Sequence, residues 1–180
     1  ELWAHEMTND STWMVGDIRA GGSAMIGSGI ADGTRFYFNA ADGGTSCSAG
    51  DLWAYEVTNE SIWKVEDSNN GGPKCPTQFN SMGTRIYFSA MNESGHAEIW
   101  AHETTNDTTW RATNVSVSSS GWGYHQPHHL TVIDSQVIFT VVRTGLGGTY
   151  ETLWIHDTTN ETTWNASLID ISWSDTSQPF

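Results

Sequence analysis

Basic residues are scarce in this 180-residue chain: seven Lys plus Arg stand against 21 Asp plus Glu, a formal charge of −14. That is the wrong sign for a phosphate backbone or an anionic membrane surface, so no nucleic-acid partner is expected. Long apolar runs are missing as well. None approaches the ~18 residues a membrane helix needs, and no charged-then-apolar leader precedes Glu1; an export signal would have been removed or lie outside these residues. No stretch carries 3.6-residue spacing with caps at both ends, which argues against helices. Catalytic signatures are equally absent: no G-x-S-x-G elbow, no phosphate loop, no H-E-x-x-H, and no Cys beside a base.

Cysteine is limited to Cys47 and Cys75. Their spacing fits no zinc pattern, and the expectation is one disulfide in an oxidising compartment, against the alternative of two buried thiols that never meet. What is abundant is hydroxyl: 41 of the 180 residues are Ser or Thr. With only 16% charged residues, solubility rests on hydroxyls and on something further, for which carbohydrate is a candidate.

The chain also repeats itself. ELWAHEMTNDSTW (1–13) returns as DLWAYEVTNESIW (51–63), EIWAHETTNDTTW (98–110) and TLWIHDTTNETTW (152–164). The leading Trp3, Trp53, Trp100 and Trp154 are separated by 50, 47 and 54 residues, a period that indicates a repeat architecture. Turn-then-strand segments precede the later copies: DGTRFYFNA (32–40), MGTRIYFSA (82–90) and DSQVIFTVV (134–142). Each unit reads as four short strands: a weak first one (25–31, 77–82, 129–133), then the RFYF, LWAHE and TWMV strands. The expected fold is all-β, a tandem of four-stranded antiparallel sheets of about 50 residues each, like propeller blades. A linear β-repeat array is the alternative. The units divide as 1–24 (strands three and four only), 25–71, 72–122, and 123–180 with a C-terminal extension. An opening pair of strands would be completed by further repeats of the same chain or by another copy, and the latter would propagate as a fibre. The paired Trp are expected in the core and between sheets.

This spacing resembles the ELWxxDGT repeat proteins, a secreted or surface family of bacteria and archaea. Glu1, Leu2 and Trp3 match, Glu6 stands for the family Asp, and Thr8, Thr12, Val15, Asp17 and Ile18 follow at the same spacing. GGS (21–23) and Ala31-Asp32-Gly33-Thr34 with Phe36, Phe38 and Ala40 continue the match. The family Gly is replaced by Met7, Val57, Thr104 and Thr158, and its second Val by Trp13, Trp63, Trp110 and Trp164. The resemblance implies a propeller-like or other β-repeat fold and an extracellular or cell-surface location, and it transfers no catalytic residue.

Asn9, Asn59, Asn106 and Asn160 sit in the repeated turn, each in N-x-[ST]. Asn92, Asn114 and Asn165 do the same, so seven of the eleven Asn are acceptor sequons, where composition alone supplies roughly two or three. N-glycans are therefore expected at these seven positions. Turn chemistry offers a competing reason for the first four, because Asn tolerates positive φ and bonds its own turn backbone.

Other chemistry is thinner. His125, His128 and His129 could ligate a metal, but no carboxylate or thiolate joins them, so they read as a loop and no metal site is assigned. His5, Tyr55, His102 and His156 share one repeat position, which suits packing better than catalysis. Acidic turns at Asp17, Asp32, Asp42 and Asp67 keep calcium open without a defined ligand set. Trp122 and Trp173, outside the paired positions, are candidates for stacking on carbohydrate. The leading expectation is a non-enzymatic, extracellular, glycosylated β-repeat protein, a structural subunit or segment of a surface or filament assembly, with no catalytic residues and no cofactor beyond its glycans. Alternatives are a carbohydrate-binding or adhesive propeller module and, more remotely, a propeller glycoside hydrolase using paired carboxylates.

Overall fold

The structure, a computed structural model, describes residues 1–44, 50–66, 70–115, 127–145 and 148–166. They form antiparallel sheets. Sheet one has β1 (Leu2–Glu6) and β2 (Ser11–Gly16); sheet two has β3 (Gly29–Asp32), β4 (Arg35–Ala40), β5 (Asp51–Glu56) and β6 (Ser61–Glu66). Sheet three has β7 (Lys74–Met82), β8 (Arg85–Met91), β9 (Ala97–Glu103) and β10 (Thr108–Arg111). Sheet four has β11 (His128–Ile133), β12 (Gln136–Gly145), β13 (Gly148–Asp157) and β14 (Thr162–Asn165). Each of the last three sheets is a four-stranded meander in chain order, and the first is two-stranded. The all-β, blade-like repeat expected from the 50-residue period is the fold observed.

The strand sequences explain how the sheets stack. Successive side chains on a strand point to opposite faces, and the second and third strands of a unit are apolar on both. Tyr37, Leu52 and Ala54 of sheet two pack against Ile86, Phe88 and Trp100 of sheet three. On the next face Tyr87, Ile99 and Ala101 of sheet three meet Val137, Phe139 and Val141 of sheet four. Leu2, Val15 and Ile18 cover Phe36, Phe38 and Tyr55 of sheet two. Tyr37, Phe38, Phe88 and Phe139 are all 0–1% exposed, and each such burial is worth about 1.5–3 kcal/mol. The stack is held by apolar area between sheets.

The two Trp of each hairpin do not pair with each other. Trp53 lies across from Lys64, and Trp63 across from Ala54. Their faces are opposite: Trp63 packs toward sheet three, while Trp53 packs toward sheet one. Trp100 and Trp110 repeat the division. The hairpins of sheets two and three therefore each bind the sheet behind with the first Trp and the sheet ahead with the second.

The first strand of each unit is where sequence and structure differ in bounds. In sheet two it starts at Gly29, and in sheet three it reaches back to Lys74. β7 is lengthened by two register shifts, at which Cys75 and Gln78 take φ of 54° and 57°. Bulges of this kind break the alternation by which a strand is recognised. The same irregularity occurs in β11, where His129 has φ of 52°. His128 and His129 therefore belong to a bulged strand and not to a loop; His125 lies outside the described residues. Cys75 is 3% exposed, and no free thiol occurs among the described residues. Its expected partner, Cys47, lies outside them.

Candidate functional site at the paired turns

Two turns meet at one end of each full sheet. The turn between first and second strands is a two-residue loop, with Asp32 paired to Arg35 and Gly33 at φ 61°; the left-handed first position is what a primed hairpin turn demands. Gly83 takes φ 60° and Asp134 φ 53° at the equivalent points. The second turn joins third and fourth strands. The amide N–H of Val57 donates to the Thr34 carbonyl at 2.9 Å, of Thr104 to Thr84 at 2.8 Å, and of Thr158 to Ser135 at 2.9 Å. A sequence distance of 20 or 23 residues is thus closed by one backbone hydrogen bond in each unit.

Within the second turn the asparagine has a fixed task. Asn59 Oδ1 accepts from the Ser61 amide at 3.1 Å and its hydroxyl at 2.7 Å; Asn106 accepts from Thr108 at 3.2 and 2.7 Å; Asn160 accepts from Thr162 at 3.0 and 2.5 Å. Asn9 accepts from the Ser11 amide at 3.0 Å. The positive φ belongs to the next residue: Asp10, Glu60, Asp107 and Glu161 lie at 57°, 55°, 53° and 56°. Asn is therefore there as an acceptor, not as the left-handed residue. The same Ser or Thr that completes each sequon is the residue Asn binds. All four Asn are exposed.

A carboxylate two residues before each turn Thr completes the network. Glu56 Oε1 accepts from the Thr58 amide at 3.2 Å and hydroxyl at 3.0 Å. With the Thr34 hydroxyl contributing most, these bonds hold the Glu56 carboxyl down at about 2. Glu103 is lowered chiefly by the Thr84 side chain, Asp157 by that of Thr159, and Glu6 by the Thr8 amide. Hydrogen bonds to the ionised form account for all four.

Neighbouring sheets are coupled through these turns by arginine. Arg35 Nη1 donates to the Thr104 carbonyl of the next sheet at 3.1 Å and lies 3.4 Å from Asp107 Oδ1, while Nε donates to Glu56 at 3.3 Å. Its guanidinium sits 5.6 Å over the Trp63 ring. Arg85 repeats the arrangement, with Glu103 at 3.4 Å, Glu161 of the next sheet at 3.5 Å, and Trp110 at 5.4 Å. A planar fork that bonds in its plane and stacks with its face explains why Arg serves here. These two arginines escaped attention in the sequence, although GTR at 33–35 and again at 83–85 placed them at one repeat position.

The acceptor side of this coupling is an imidazole triad. His102 Nδ1 lies 2.9 Å from the Thr109 hydroxyl and Nε2 3.8 Å from Asp107; His156 has Thr163 at 2.9 Å and Glu161 at 3.4 Å; His5 has Thr12 at 2.8 Å and Asp10 at 3.4 Å. A hydroxyl, an imidazole and a carboxylate in sequence have the outline of a hydrolytic triad. Two of the three sets are sealed, however, with His102 and His156 0% exposed between sheets. Tyr37 and Tyr87 cover them at 5.1 and 6.5 Å. Burial pushes both imidazoles below their ordinary value.

Other predicted positions are scattered. Asn92 is 8% exposed, and its Oδ1 accepts from the amides of Ser94 and His96, each at 3.0 Å. Asn114 and Asn165 are exposed. Trp122, Trp173 and Asp67 lie outside the described residues. Asp42 pairs with Lys64 at 2.8 Å, as does the buried Asp51, and no three His, Cys, Asp or Glu side chains converge among the described residues. An open cleft of ≈ 290 Å³ is lined by Gly71, Asn92, Glu93, Ser94, Trp100 and Arg111. Among the described residues no helix is long and apolar enough to cross a membrane.

Solved structures similar to this one are propellers. The β-propeller domain of the Trilobed protease from Pyrococcus furiosus matches with a TM-score of 0.53 at 12% identity over 79% of this chain and 43% of that one. TolB from Acinetobacter baumannii matches at 0.52 and 12% identity, over 91% of this chain and 36% of its own. The acylaminoacyl peptidase of Pyrococcus horikoshii matches at 0.53 and 9%, over 78% and 25%. The chain thus spans less than half of each of these structures. At such identities the likeness is one of fold, and the four sheets are propeller blades. No family model and no curated protein matches the chain.

Proposed function

We propose that this chain is a non-enzymatic, extracellular, N-glycosylated β-repeat protein that serves as a structural subunit or segment of a surface or filament assembly. The observation that carries the reading is the set of four acceptor asparagines displayed at equivalent, exposed turns. The turn uses Oδ1 of each, while Nδ2 is the atom to which a glycan is attached. A row of glycans along one end of the blades would hydrate a Trp-rich protein of low charge density and screen its strand edges from promiscuous pairing. The resemblance to the ELWxxDGT repeat proteins supports an outside location.

The lack of catalysis in this reading follows from what surrounds the triads. His102 and His156 do the same structural job in sealed interfaces, so the exposed copy at His5 is best understood as the same device. Intact mass of native material, before and after enzymatic or chemical deglycosylation, tests the proposal. Several glycan masses above the bare polypeptide are expected, and a native mass equal to it ends the reading.

A carbohydrate-binding module is the second reading, and the cleft beside Trp100 favours it. Asn92, Glu93 and Arg111 give it amide, carboxylate and guanidinium groups of the kind that bond sugar hydroxyls. Glycan-array binding that is lost on Arg111→Ala would raise it above the structural reading.

A further inference from the structure

Each hairpin sets one residue across the ladder from its first Trp: Met14 opposite Trp3, Lys64 opposite Trp53, Arg111 opposite Trp100 and Asn165 opposite Trp154. The two cations have different surroundings. Lys64 Nζ lies 2.8 Å from Asp42 and 2.8 Å from the buried Asp51, and 5.6 Å over the Trp53 ring. In sheet three both acids are changed: counted without a gap from Arg85, Asn92 stands in the place of Asp42, and Glu98 precedes Ile99-Trp100 as Asp51 precedes Leu52-Trp53. Glu98 is 0% exposed, but its Oε2 accepts from the Thr113 hydroxyl and the Val115 amide, each at 3.0 Å. Thr113 occupies the position of Glu66 in sheet two, so the acid is engaged by a donor that the earlier copy lacks. Arg111 is left exposed, with no ion pair among the described residues.

Arg111 lines the open cleft of ≈ 290 Å³ together with Asn92, Glu93, Ser94 and Trp100. That volume is at the small end of the about 300–1,000 Å³ usual for small-molecule sites. Its lining is polar. Asn92 is 8% exposed, and because Oδ1 is taken by the Ser94 and His96 amides, Nδ2 is the donor it offers; Glu93 and the Ser94 hydroxyl offer acceptors. Trp100 is 7% exposed, too little ring for an apolar ligand.

We infer that this cleft binds a carboxylated sugar, a hexuronate residue of an acidic glycan, whose carboxylate takes on Arg111 the place that Asp42 and Asp51 hold on Lys64. This deepens the carbohydrate-binding reading above and rests on it. A guanidinium fork matches a carboxylate in two parallel hydrogen bonds, while Asn92 Nδ2, Ser94 and Glu93 meet ring hydroxyls. Glu93 repels a carboxylate and accepts from hydroxyls, so it fixes which side of the sugar faces Arg111. The formal charge of −14 opposes an anion at long range, and a single sugar residue therefore binds weakly. The Asn92 sequon has a second meaning here: Asn92, Glu93 and Ser94 all line the cleft, and a glycan on Nδ2 would block it.

The test is a nuclear magnetic resonance titration of the full chain with the methyl glycosides of glucuronic, galacturonic and mannuronic acid, beside the neutral glycosides of glucose, galactose and mannose. At least one uronide should shift the 92–96 amides and the Arg111 Nε–H along a saturating curve, about tenfold more tightly than its neutral counterpart. Arg111→Ala, at an exposed position, should remove that preference with the circular dichroism unchanged. Asn92→Asp restores the carboxylate of sheet two and keeps an acceptor for the loop amides, so it should pair with Arg111 and weaken the uronide to the same degree. Neutral sugars binding as tightly as the uronides overturn the inference and leave the carbohydrate-binding reading standing, as does a uronide affinity that survives both Arg111→Ala and Asn92→Asp. No saturation with any glycoside, charged or neutral, sinks the two together.

Discussion

Arg35 of the second sheet lies 3.4 Å from Asp107 of the third, having crossed 72 residues of chain to reach the far side of a blade interface. The same guanidinium bonds the Thr104 carbonyl and covers Trp63. Arg35→Ala should therefore lower stability by about 1–2 kcal/mol, more than an exposed ion pair alone supplies. Arg35→Lys should recover only part of it, because an ammonium cannot bond in a plane and stack on a ring together. Urea titration of the three proteins checks the order.

Acid should unfold the protein in two stages. His102 and His156 are depressed below 6.5 by burial, with Asp107 and Glu161 opposing more weakly and Arg35 and Arg85 assisting. Below pH 6.5 the unfolded chain binds protons that the folded one refuses, so stability falls as pH drops toward the folded values. Glu56, held at about 2 against an ordinary 4.5, adds a second loss between those values. Melting temperature against pH should be level above about 7 and decline below, and His102→Gln with His156→Gln should flatten the first stage while lowering the whole curve.

Glu60 is a surface residue at φ 55°, where an L side chain costs about 1 kcal/mol or more. Glu60→Gly removes that cost and preserves the Asn59–Ser61 bond, so it should raise stability by about 0.5–1 kcal/mol. Asn59→Gly should do the reverse, because it deletes the acceptor and gains no relief of strain. Parallel thermal melts of the two variants separate these roles.

Cys75 is buried, and we propose that it is joined to Cys47, 28 residues earlier. Thiol titration of the unfolded, unreduced chain should find no free sulfhydryl, and two after reduction. Reduction should cost about 3–4 kcal/mol for a loop of this length. Two thiols before reduction would refute the bond.

Much of the fold could be read directly from residues, and the reason is repetition. Four copies of one hairpin averaged away local ambiguity, so the strand order and the blade period were visible in Trp3, Trp53, Trp100 and Trp154. The first strands were the weak point, since bulges at Gln78 and His129 destroy the two-residue alternation. At the turns, the sequons located the Asn but not their partners. Which residue takes positive φ depends on the four-residue loop geometry: propensity points to Asn, whereas the residue that takes it is the one after, an Asp in two turns and a Glu in the other two. Arg35 and Arg85 were hidden for another reason: a cation beside a glycine turn reads as solvent-facing until the next blade is placed against it.

The account turns on whether the repeated asparagines carry sugar, and a site-resolved glycopeptide map of native material measures this most directly. Asn9, Asn59, Asn106 and Asn160, exposed at equivalent turns, should be occupied, and Asn92, whose amide is packed against the 93–96 turn, should be bare. Unmodified asparagine at all four turns would contradict the account.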